Sequence, residues 1–245
     1  MTKSITTTTK KTKLLTSYGV VKLSKTSKMG CYSWSLQAIE HCPASLDKDG
    51  GLVPVCQNCY ATRGNYVYSN VKKVRQDNWL AWREESFVSD FVTIMHSGHK
   101  FHRYMDSGDL ATVALAEKIY QICLACPDTK FWIPTRMSKF KKFEDVLARL
   151  SALPNVALRH SGDNYDELLE GKDLSSVVTT PEFDYSANPN VFKCVAPLNN
   201  GACGDCRTCW SKQPVIAYEY HGVSIKKVMQ LKEANSKKVF AIKQI

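Results

Sequence analysis

The feature that most constrains the fold is an alternation of strand and helix patterns between residues 101 and 179. Short apolar segments predict strands, and longer segments with apolar residues at helical spacing predict the helices between them. The predicted strands are Phe101–Met105, Lys130–Pro134, Val156–Leu158 and Ser176–Thr179, and the predicted helices are Leu110–Cys126, Phe140–Leu150 and Asp166–Leu169. This alternation predicts parallel strands joined by right-handed crossovers. The expected fold class is α/β, either a partial or irregular (β/α) barrel with a Cys-rich C-terminal segment or an open doubly wound sheet.

The residues before this alternation have weaker patterns. Leu14–Leu23 predicts a strand or a short hairpin, and Cys31–Ile39 mixes aromatic and polar residues, so we expect it to cross the surface. Asn70–Ser86 and Phe87–His96 predict two helices because apolar residues recur at helical spacing.

The net charge of +10 is concentrated at the two ends of the chain. Residues 1–30 carry seven lysines and no acid, and residues 222–245 carry six lysines and one glutamate. We therefore predict a disordered basic tail over 1–13, a single α/β domain over 14–221 and a basic C-terminal extension over 222–245. The basic ends make nucleic acid a candidate partner, whereas the near-neutral middle does not predict a basic groove.

The cysteine content and the hydropathy pattern indicate a compartment. Ten cysteines in 245 residues are too few for a small disulfide scaffold. No secretory signal pattern follows the first basic residues, and no apolar run reaches the roughly 20 residues of a membrane span. These features predict a cytoplasmic protein, in which clustered cysteines bind metal more often than they form disulfides.

The first cysteine group consists of Cys42, Cys56 and Cys59. Soft thiolates bind zinc and iron–sulfur clusters tightly, and the Cys-x-x-Cys turn lets two thiolates reach one metal. A closed structural zinc site needs four ligands, whereas a cluster held by three thiolates leaves one iron open. His41 and Cys31 are alternatives for a fourth ligand, so the residue count alone does not decide between the two metals.

The second cysteine group lies within sixteen residues late in the chain: Cys194, Cys203, Cys206 and Cys209. Its last three members have the spacing that begins a ferredoxin-type run, and the first is placed to be a fourth ligand that closes the site. A four-cysteine zinc site is the alternative. A further pair, Cys123 and Cys126, lies near the end of a predicted helix, where we expect buried cysteines to pack in the core.

Polar residues follow the predicted strands at the end where α/β folds assemble their sites. The tripeptide Ser-Gly-Asp occurs at 107–109 and again at 161–163, each time just past a predicted strand. Each copy is either a turn in which Asp caps the next helix or part of one pocket. The pocket interpretation adds four further residues: Thr135, Arg136, Arg159 and His160.

Several of these motifs, in this order, resemble the phage "gene product 88" family. The resemblance covers roughly residues 29–215, and it is carried by Cys42-Pro43, Cys56-x-x-Cys59-Tyr60-Ala61-x-x-Gly64, Arg75 and Asn78 in a basic helix, Ser107-Gly108-Asp109, Thr135-Arg136 and the late Cys-Gly-Asp-Cys-Arg-x-Cys-Trp. A phage origin would place the protein in the host cytoplasm.

The Cys-x-x-Cys-Tyr-Ala ending is also similar, more distantly, to the cluster motif of radical S-adenosylmethionine enzymes. That similarity implies a 4Fe–4S cluster on Cys42, Cys56 and Cys59, whose open iron chelates the amino and carboxylate groups of S-adenosylmethionine before reductive cleavage to a 5′-deoxyadenosyl radical. The chain departs from the pattern because thirteen residues, instead of three, separate Cys42 from Cys56. No Gly-Gly-Glu-like stretch follows on the next strand, where Asp106-Ser107-Gly108-Asp109 stands in its place.

The resulting hypothesis is a radical S-adenosylmethionine-like iron–sulfur enzyme with an unknown substrate and an auxiliary 4Fe–4S cluster on the second cysteine group. It assigns cofactor contacts to Tyr60, Ser107, Gly108, Asp109, Ser161 and Asp163. It assigns catalytic or substrate-facing roles to Asp106, Asp109, Arg136, Arg159 and His160. The alternative is a protein stabilised by zinc or an iron–sulfur cluster that binds nucleic acid or senses redox state without catalysis.

Overall fold

The computed structural model of the protein describes residues 14–220 together with residue 233. The predicted tail over 1–13 and all but one residue of the predicted extension over 222–245 lie outside the described residues. The elements in chain order are β1 Ser17–Tyr18, β2 Val21–Lys22, β3 Ser24–Lys25, β4 Tyr32–Trp34, α1 Pro54–Gln57, α2 Ser69–Ala81, α3 Phe87–His96, β5 Phe101–Tyr104, α4 Val113–Ala125, β6 Lys130–Thr135, α5 Glu144–Ala152, β7 Val156–Tyr165, β8 Ser175–Thr179, β9 Val191–Lys193 and β10 Val215–Glu219.

Eight of these strands form one sheet in the order β3-β4-β5-β6-β7-β8-β10-β9. The pair β3–β4 is antiparallel, and the neighbours from β4 to β9 run parallel. The α/β prediction is therefore confirmed, with a mostly parallel sheet. Within residues 14–220 the edge strands β3 and β9 do not pair with each other, so the sheet is open and no closed barrel forms. The separate hairpin β1–β2 confirms the hairpin predicted at Leu14–Leu23.

The two faces of the sheet have different partners. From β4 to β8 the strands follow one another in chain order, and right-handed crossovers then place the connecting helices on one face. On this helix-covered face Trp34, Tyr104, Phe131 and Leu158 pack with Phe91 of α3 in the main core. Because successive strand residues point to opposite sides, the residues between them face the other way.

The opposite face, which we call the open face, is covered by the late cysteine segment. Trp132 packs there with Trp210, and Phe101 and Tyr218 lie against the same cluster. The indole Nε1 of Trp210 donates a hydrogen bond of 2.9 Å to the carbonyl of His102, which fastens the segment to β5. In the described part of the chain, no helix has both the length and the apolar character to cross a membrane.

The prediction that Cys31–Ile39 crosses the surface is wrong. This segment contains β4, and the side chains of Trp34 and Leu36 are fully buried. The polar residues of this segment indicated a surface position, but Ser33 and Ser35 are themselves buried. β4 is thus the first parallel strand, and the first cysteine group follows it.

Two further local predictions are wrong. Asp166–Leu169 forms no helix. Instead, the carboxylate of Asp166 accepts hydrogen bonds of 2.7 Å from the main-chain N–H and the hydroxyl of Thr180, which ties the end of β7 to the end of β8. β7 itself continues to Tyr165, so the tripeptide at 161–163 lies within a strand and not beyond its end. By contrast, Cys123 and Cys126 are buried in the core as predicted.

Candidate metal-binding and strand-end site

The first cysteine group lies over the carboxyl ends of the parallel strands. Cys42 precedes a short 3₁₀ turn, Cys56 lies in α1, and Cys59 begins a second 3₁₀ turn. Cys56 packs with Tyr165 at the end of β7. The main-chain N–H of Asp109 donates a hydrogen bond of 3.0 Å to the carbonyl of His41, which fixes the start of the group beside the end of β5.

The thirteen-residue insert between Cys42 and Cys56 is folded into a small hairpin. Leu46 and Leu52 form an antiparallel bridge. The main-chain N–H of Val53 donates to the carbonyl of Ser45 at 2.9 Å, closing the base of the hairpin. The long spacing therefore does not separate the cysteines, because the chain returns to its starting point before α1 begins.

The three thiols of the first group share one environment. Burial raises the pKa of Cys42 to about 12, with smaller contributions from the charges of Asp109, Cys56 and Cys59. Burial also raises the pKa of Cys56, whereas the guanidinium of Arg136 lowers it. Each thiol that a metal binds must lose its proton, so metal binding here would release protons.

Neither alternative for a fourth ligand joins this group. The ring of His41 stacks on Trp79 with their centroids 4.0 Å apart. Cys31 packs beside Cys203 on the open face, in the cluster that contains Trp132. The first group therefore keeps three thiols.

Asp106 and Ser107 lie in a buried polar network at the end of β5. The guanidinium of Arg75 pairs with the Asp106 carboxylate at 3.5 Å, and both side chains are almost fully buried. Arg75 Nε also donates to the hydroxyl of Ser107, which in turn donates to the carbonyl of Leu36 at 2.6 Å. The network joins α2 to the ends of β4 and β5, so the residue at position 75 supports the predicted strand-end site.

Tyr60, which follows Cys59 directly, reaches the same network. Its hydroxyl donates to the main-chain carbonyl of Asp106 and accepts a hydrogen bond of 3.3 Å from Arg103. The ring packs edge-on against Tyr66, whose hydroxyl lies 3.4 Å from the Asp106 carboxylate. Tyr60 is 55% exposed overall, but its hydroxyl lies against the buried Asp106, and desolvation raises the pKa of both tyrosines. Tyr60 thus links the first cysteine group to the strand ends.

Asp109 holds the ends of β5 and β6 together. Its carboxylate accepts hydrogen bonds from the hydroxyl of Thr135 at 2.7 Å, from the main-chain N–H of Arg136 at 2.9 Å and from that of Leu110 at 2.7 Å. Burial raises the pKa of Asp109. The N-cap of α4 is Thr112 and not Asp109, so the helix-capping alternative is wrong for this copy of the tripeptide.

The second Ser-Gly-Asp copy meets the first site through a basic pair. The ammonium of Lys139 lies 2.7 Å from the Asp163 carboxylate, and Nε of Arg136 donates a hydrogen bond of 3.0 Å to the carbonyl of Gly162. The charges of Arg136 and Asp163 both act on Cys56. Ser161 instead shares a hydrogen bond of 2.9 Å with Ser176 of β8. The structure therefore brings Asp109, Arg136 and Asp163 beside the first cysteine group.

Arg159 and His160 do not form a pocket together, which corrects the sequence prediction. They are neighbours in β7 and point to opposite faces of the sheet. Burial lowers the pKa of His160 to about 4, aided by the charge of Lys172. Arg159 is fully buried, and its guanidinium donates to five main-chain carbonyls: those of Ser175, Thr208, Cys209, Ser211 and Gln213. It supports the second cysteine group instead.

The second cysteine group lies on the open face. All four of its members line one small cavity, whose other walls include Phe192, Ile216 and Trp210. Cys209 Sγ lies 3.3 Å from the hydroxyl of Tyr218, and burial raises the pKa of Cys209. Across residues 14–220, no three His, Cys, Asp or Glu side chains stand close enough to hold a metal ion as they are placed. Metal binding by either group stays a prediction.

The comparison with protein families agrees with the order of the motifs. The family profile described as Gene product 88 matches residues 2–212. The chain belongs to the Gene product 88 family. Neither the curated proteins nor the solved structures contain a significant match.

In this member of the Gene product 88 family, two supporting residues were missed at the sequence level. Arg103 lies at the centre of β5 and Tyr218 in β10, and both face the late cysteine segment. A signal for Arg103 existed, because an arginine in the middle of a short apolar strand needs a partner. Tyr218 had none, since β10 itself was not predicted.

Proposed function

We propose that the protein is an iron–sulfur protein with two centres, and that the centre at the first cysteine group is reactive and of the radical S-adenosylmethionine type. The observation that carries the proposal is the arrangement of the thiols. Three lie together over the carboxyl ends of a parallel sheet, and four line one cavity on its open face. Under this proposal the open sheet is a partial (β/α) barrel with one centre at the carboxyl ends of its strands and the other on its open face.

The donor sets suit two different centres. Four thiols around a cavity with apolar walls match a closed 4Fe–4S cluster or a tetrahedral zinc site. At the first group, Cys42, Cys56 and Cys59 would hold a cluster, and neither His41 nor Cys31 supplies a fourth ligand. Such a centre supplies an iron at which S-adenosylmethionine binds and is cleaved by one-electron reduction in the enzymes that the motif resembles.

The chain's own residues would position the bound groups. The cysteine segment follows β4, and Asp106 to Asp109 follow the neighbouring strand β5. The side chains of Asp106, Ser107 and Asp109 already bind Arg75, Leu36 and Thr135, so we assign them the role of holding the turn rigid. Arg136 is the cation with the largest effect on Cys56 and is suited to orient an anionic group there.

Metal analysis of the anaerobically purified chain tests the proposal. We expect a brown protein with about eight irons and a similar amount of sulfide, as two 4Fe–4S clusters require. Cys56→Ala and Cys206→Ala should each remove about half of the iron, because they lie in different groups. Cys126→Ala removes a thiol outside both groups and should keep the iron content. Stoichiometric zinc without visible absorbance would refute the iron assignment.

Activity is tested separately. With S-adenosylmethionine and dithionite as the one-electron reductant, the protein should form 5′-deoxyadenosine, and Cys56→Ala should abolish this product. Cys206→Ala should leave the first centre in place. The iron content and the visible spectrum of this variant therefore report the first centre independently of 5′-deoxyadenosine formation. Full iron loading without any 5′-deoxyadenosine would refute the radical assignment while keeping the two centres.

One observation favours a second candidate, a metal-stabilised protein without catalysis. The strand-end carboxylates are already bonded within the protein, as in a structural network. Such a protein would bind nucleic acid through its basic ends or sense redox state through its centres. It would show filled metal sites and no 5′-deoxyadenosine, and nucleic-acid binding would weaken steeply with salt and disappear when both basic ends are removed.

A further inference from the structure

Arg159 carries a buried positive charge that has no carboxylate among its hydrogen-bond partners. Its side chain is fully buried, and all five of its hydrogen bonds go to neutral main-chain carbonyls. The ionisable groups that act on it are Tyr218 and Cys209. An unpaired cation in the interior is strongly destabilising unless an anion offsets it. A negative charge near Cys209 would offset the charge of Arg159.

A second guanidinium faces the same place from β5. Arg103 lies over the ring of Trp132, with its Cζ 4.2 Å from the ring centroid. Its hydrogen bonds go to the hydroxyl of Tyr60 at 3.3 Å and to Sδ of Met29 at 3.4 Å, both neutral acceptors. Its Nε is buried and has no hydrogen-bond partner within residues 14–220. Asp106, the carboxylate that acts on it, is itself paired with Arg75.

Apart from other cysteines, the charged residues that act on Cys203 and Cys209 are cations. Arg103 and Arg159 both act on Cys209, and Lys28 and Arg103 act on Cys203. The acid within the segment, Asp205, is exposed to solvent. With neutral thiols, Arg159 would have no anionic hydrogen-bond partner among residues 14–220, and Arg103 would share the Asp106 carboxylate with Arg75.

We propose that Arg159 and Arg103 supply the counter-charge for an anionic four-thiolate centre at the second cysteine group. The inference rests on the proposed metal-binding function of that group. A divalent zinc ion or a 4Fe–4S core held by four thiolates carries a net charge of about −2, which two guanidiniums neutralise. Arg159 and Arg103 are thus positioning residues that make the cavity selective for a tetrathiolate centre and favour the reduced state of an iron centre.

Substitutions that separate charge from hydrogen bonding test this role. The parent protein is the full chain carrying Cys56→Ala, so that the second cysteine group is the one group whose thiols are all present. The probe is Co²⁺, because its thiolate absorption bands report the number of sulfur ligands. Arg103→Met and Arg159→Met should each weaken Co²⁺ binding about 10- to 100-fold in competition with a chelator. Arg103→Lys and Arg159→Lys keep the charge and should retain most of the affinity.

A matched control and a second measurement exclude a merely structural effect. Ser211→Ala removes, from the same segment and without changing any charge, a hydroxyl that donates to the carbonyl of Thr208 at 2.8 Å and accepts from the main-chain N–H of Gln213 at 3.1 Å, and it should leave Co²⁺ affinity nearly unchanged. In the iron-reconstituted protein, Arg103→Met should lower the reduction potential of the remaining centre, because a nearby cation stabilises the added electron. Arg103 donates to no main-chain carbonyl in the described structure, so this variant remains informative if Arg159→Met does not fold.

The outcomes are distinct. If the lysine variants lose as much affinity as the methionine variants, Arg159 and Arg103 act through hydrogen bonds and the inference is overturned. Unchanged affinity and potential in both methionine variants overturn it as well. If the parent chain binds no Co²⁺ in a manner that depends on Cys206, the proposed metal-binding function fails first.

Discussion

The two copies of Ser-Gly-Asp offer a sharp test of the strand-end geometry, because their glycines are in different environments. Gly108 has a φ of 78°, and a Cβ added there would lie 2.6 Å from the Cβ of Leu36 and 3.0 Å from its main-chain atoms. Gly162 lies in β7, where an added Cβ would meet the flexible side chain of Glu167 at 2.7 Å. The same substitution in the same tripeptide should therefore have unequal effects.

The expected loss at position 108 follows from this geometry. A left-handed conformation costs an alanine about 1–2 kcal/mol, and the close contact with Leu36 adds about 1–3 kcal/mol. The less flexible unfolded chain offsets about 0.4–1 kcal/mol. Gly108→Ala should therefore lower the free energy of unfolding by about 2–4 kcal/mol, and the melting temperature by about 5–15 °C for a chain of this size. Gly162→Ala should cost about 1 kcal/mol or less, because Glu167 can rotate away.

Urea unfolding followed by circular dichroism measures both variants, and iron retention reports the first cysteine group separately. Equal losses in the two variants, or a loss below about 1 kcal/mol for Gly108→Ala, would refute the close packing of the strand-end turn on Leu36. Gly108→Ala should also release iron from the first group sooner on dilution, because the turn lies beside it.

Three further predictions concern buried polar groups. Burial lowers the pKa of His102 from 6.5 to about 3, so below pH 6.5 the unfolded chain binds a proton that the folded chain does not. The stability that this group contributes is complete above about pH 6.5 and falls by up to about 1.4 kcal/mol per pH unit on acidification. His102→Phe should therefore make the loss of stability between pH 7 and pH 5, measured by urea unfolding, less steep. An unchanged slope would contradict the buried neutral imidazole. Arg75→Met leaves the Asp106 carboxylate buried and unpaired and should lower the free energy of unfolding by about 3–5 kcal/mol, whereas Arg149→Met, in an exposed ion-pair network, should lower it by about 1 kcal/mol or less. The side-chain amide of Asn155 donates to three main-chain carbonyls, so Asn155→Ala should lower the free energy of unfolding by about 1–3 kcal/mol. An unchanged free energy of unfolding would contradict these hydrogen bonds.

The strand-end residues show how far prediction from the sequence reached. Asp109 and Arg136 were correctly expected at the carboxyl ends of parallel strands, because each follows a short apolar segment. Arg159 was expected in the same pocket and lies under the second cysteine group instead. The difference is one of side-chain direction: β7 continues past its predicted end at Leu158, so Arg159 is a strand residue whose side chain points to the face opposite that of Leu158.

The cysteine groups show the same limit. Their membership is visible in the sequence because spacing along the chain is local information. That the thirteen residues after Cys42 return in a hairpin depends on main-chain hydrogen bonds between Ser45 and Val53, which a flexible loop would not make. That Cys31 belongs beside Cys203, and not beside Cys42, depends on the late segment folding back across the open face.

The sequence by itself determined the α/β class, the parallel strands and the two sets of thiols, since apolar periodicity and residue spacing are properties of short segments. The tertiary structure alone decided the strand order in which β10 lies between β8 and β9, the faces that Arg103 and Arg159 occupy, and the cavity that gathers the second cysteine group. The physical reason is that these features join residues far apart in the chain. Their positions follow from which faces of the sheet must be covered and to which face each strand residue points, and both are fixed only once the sheet has formed.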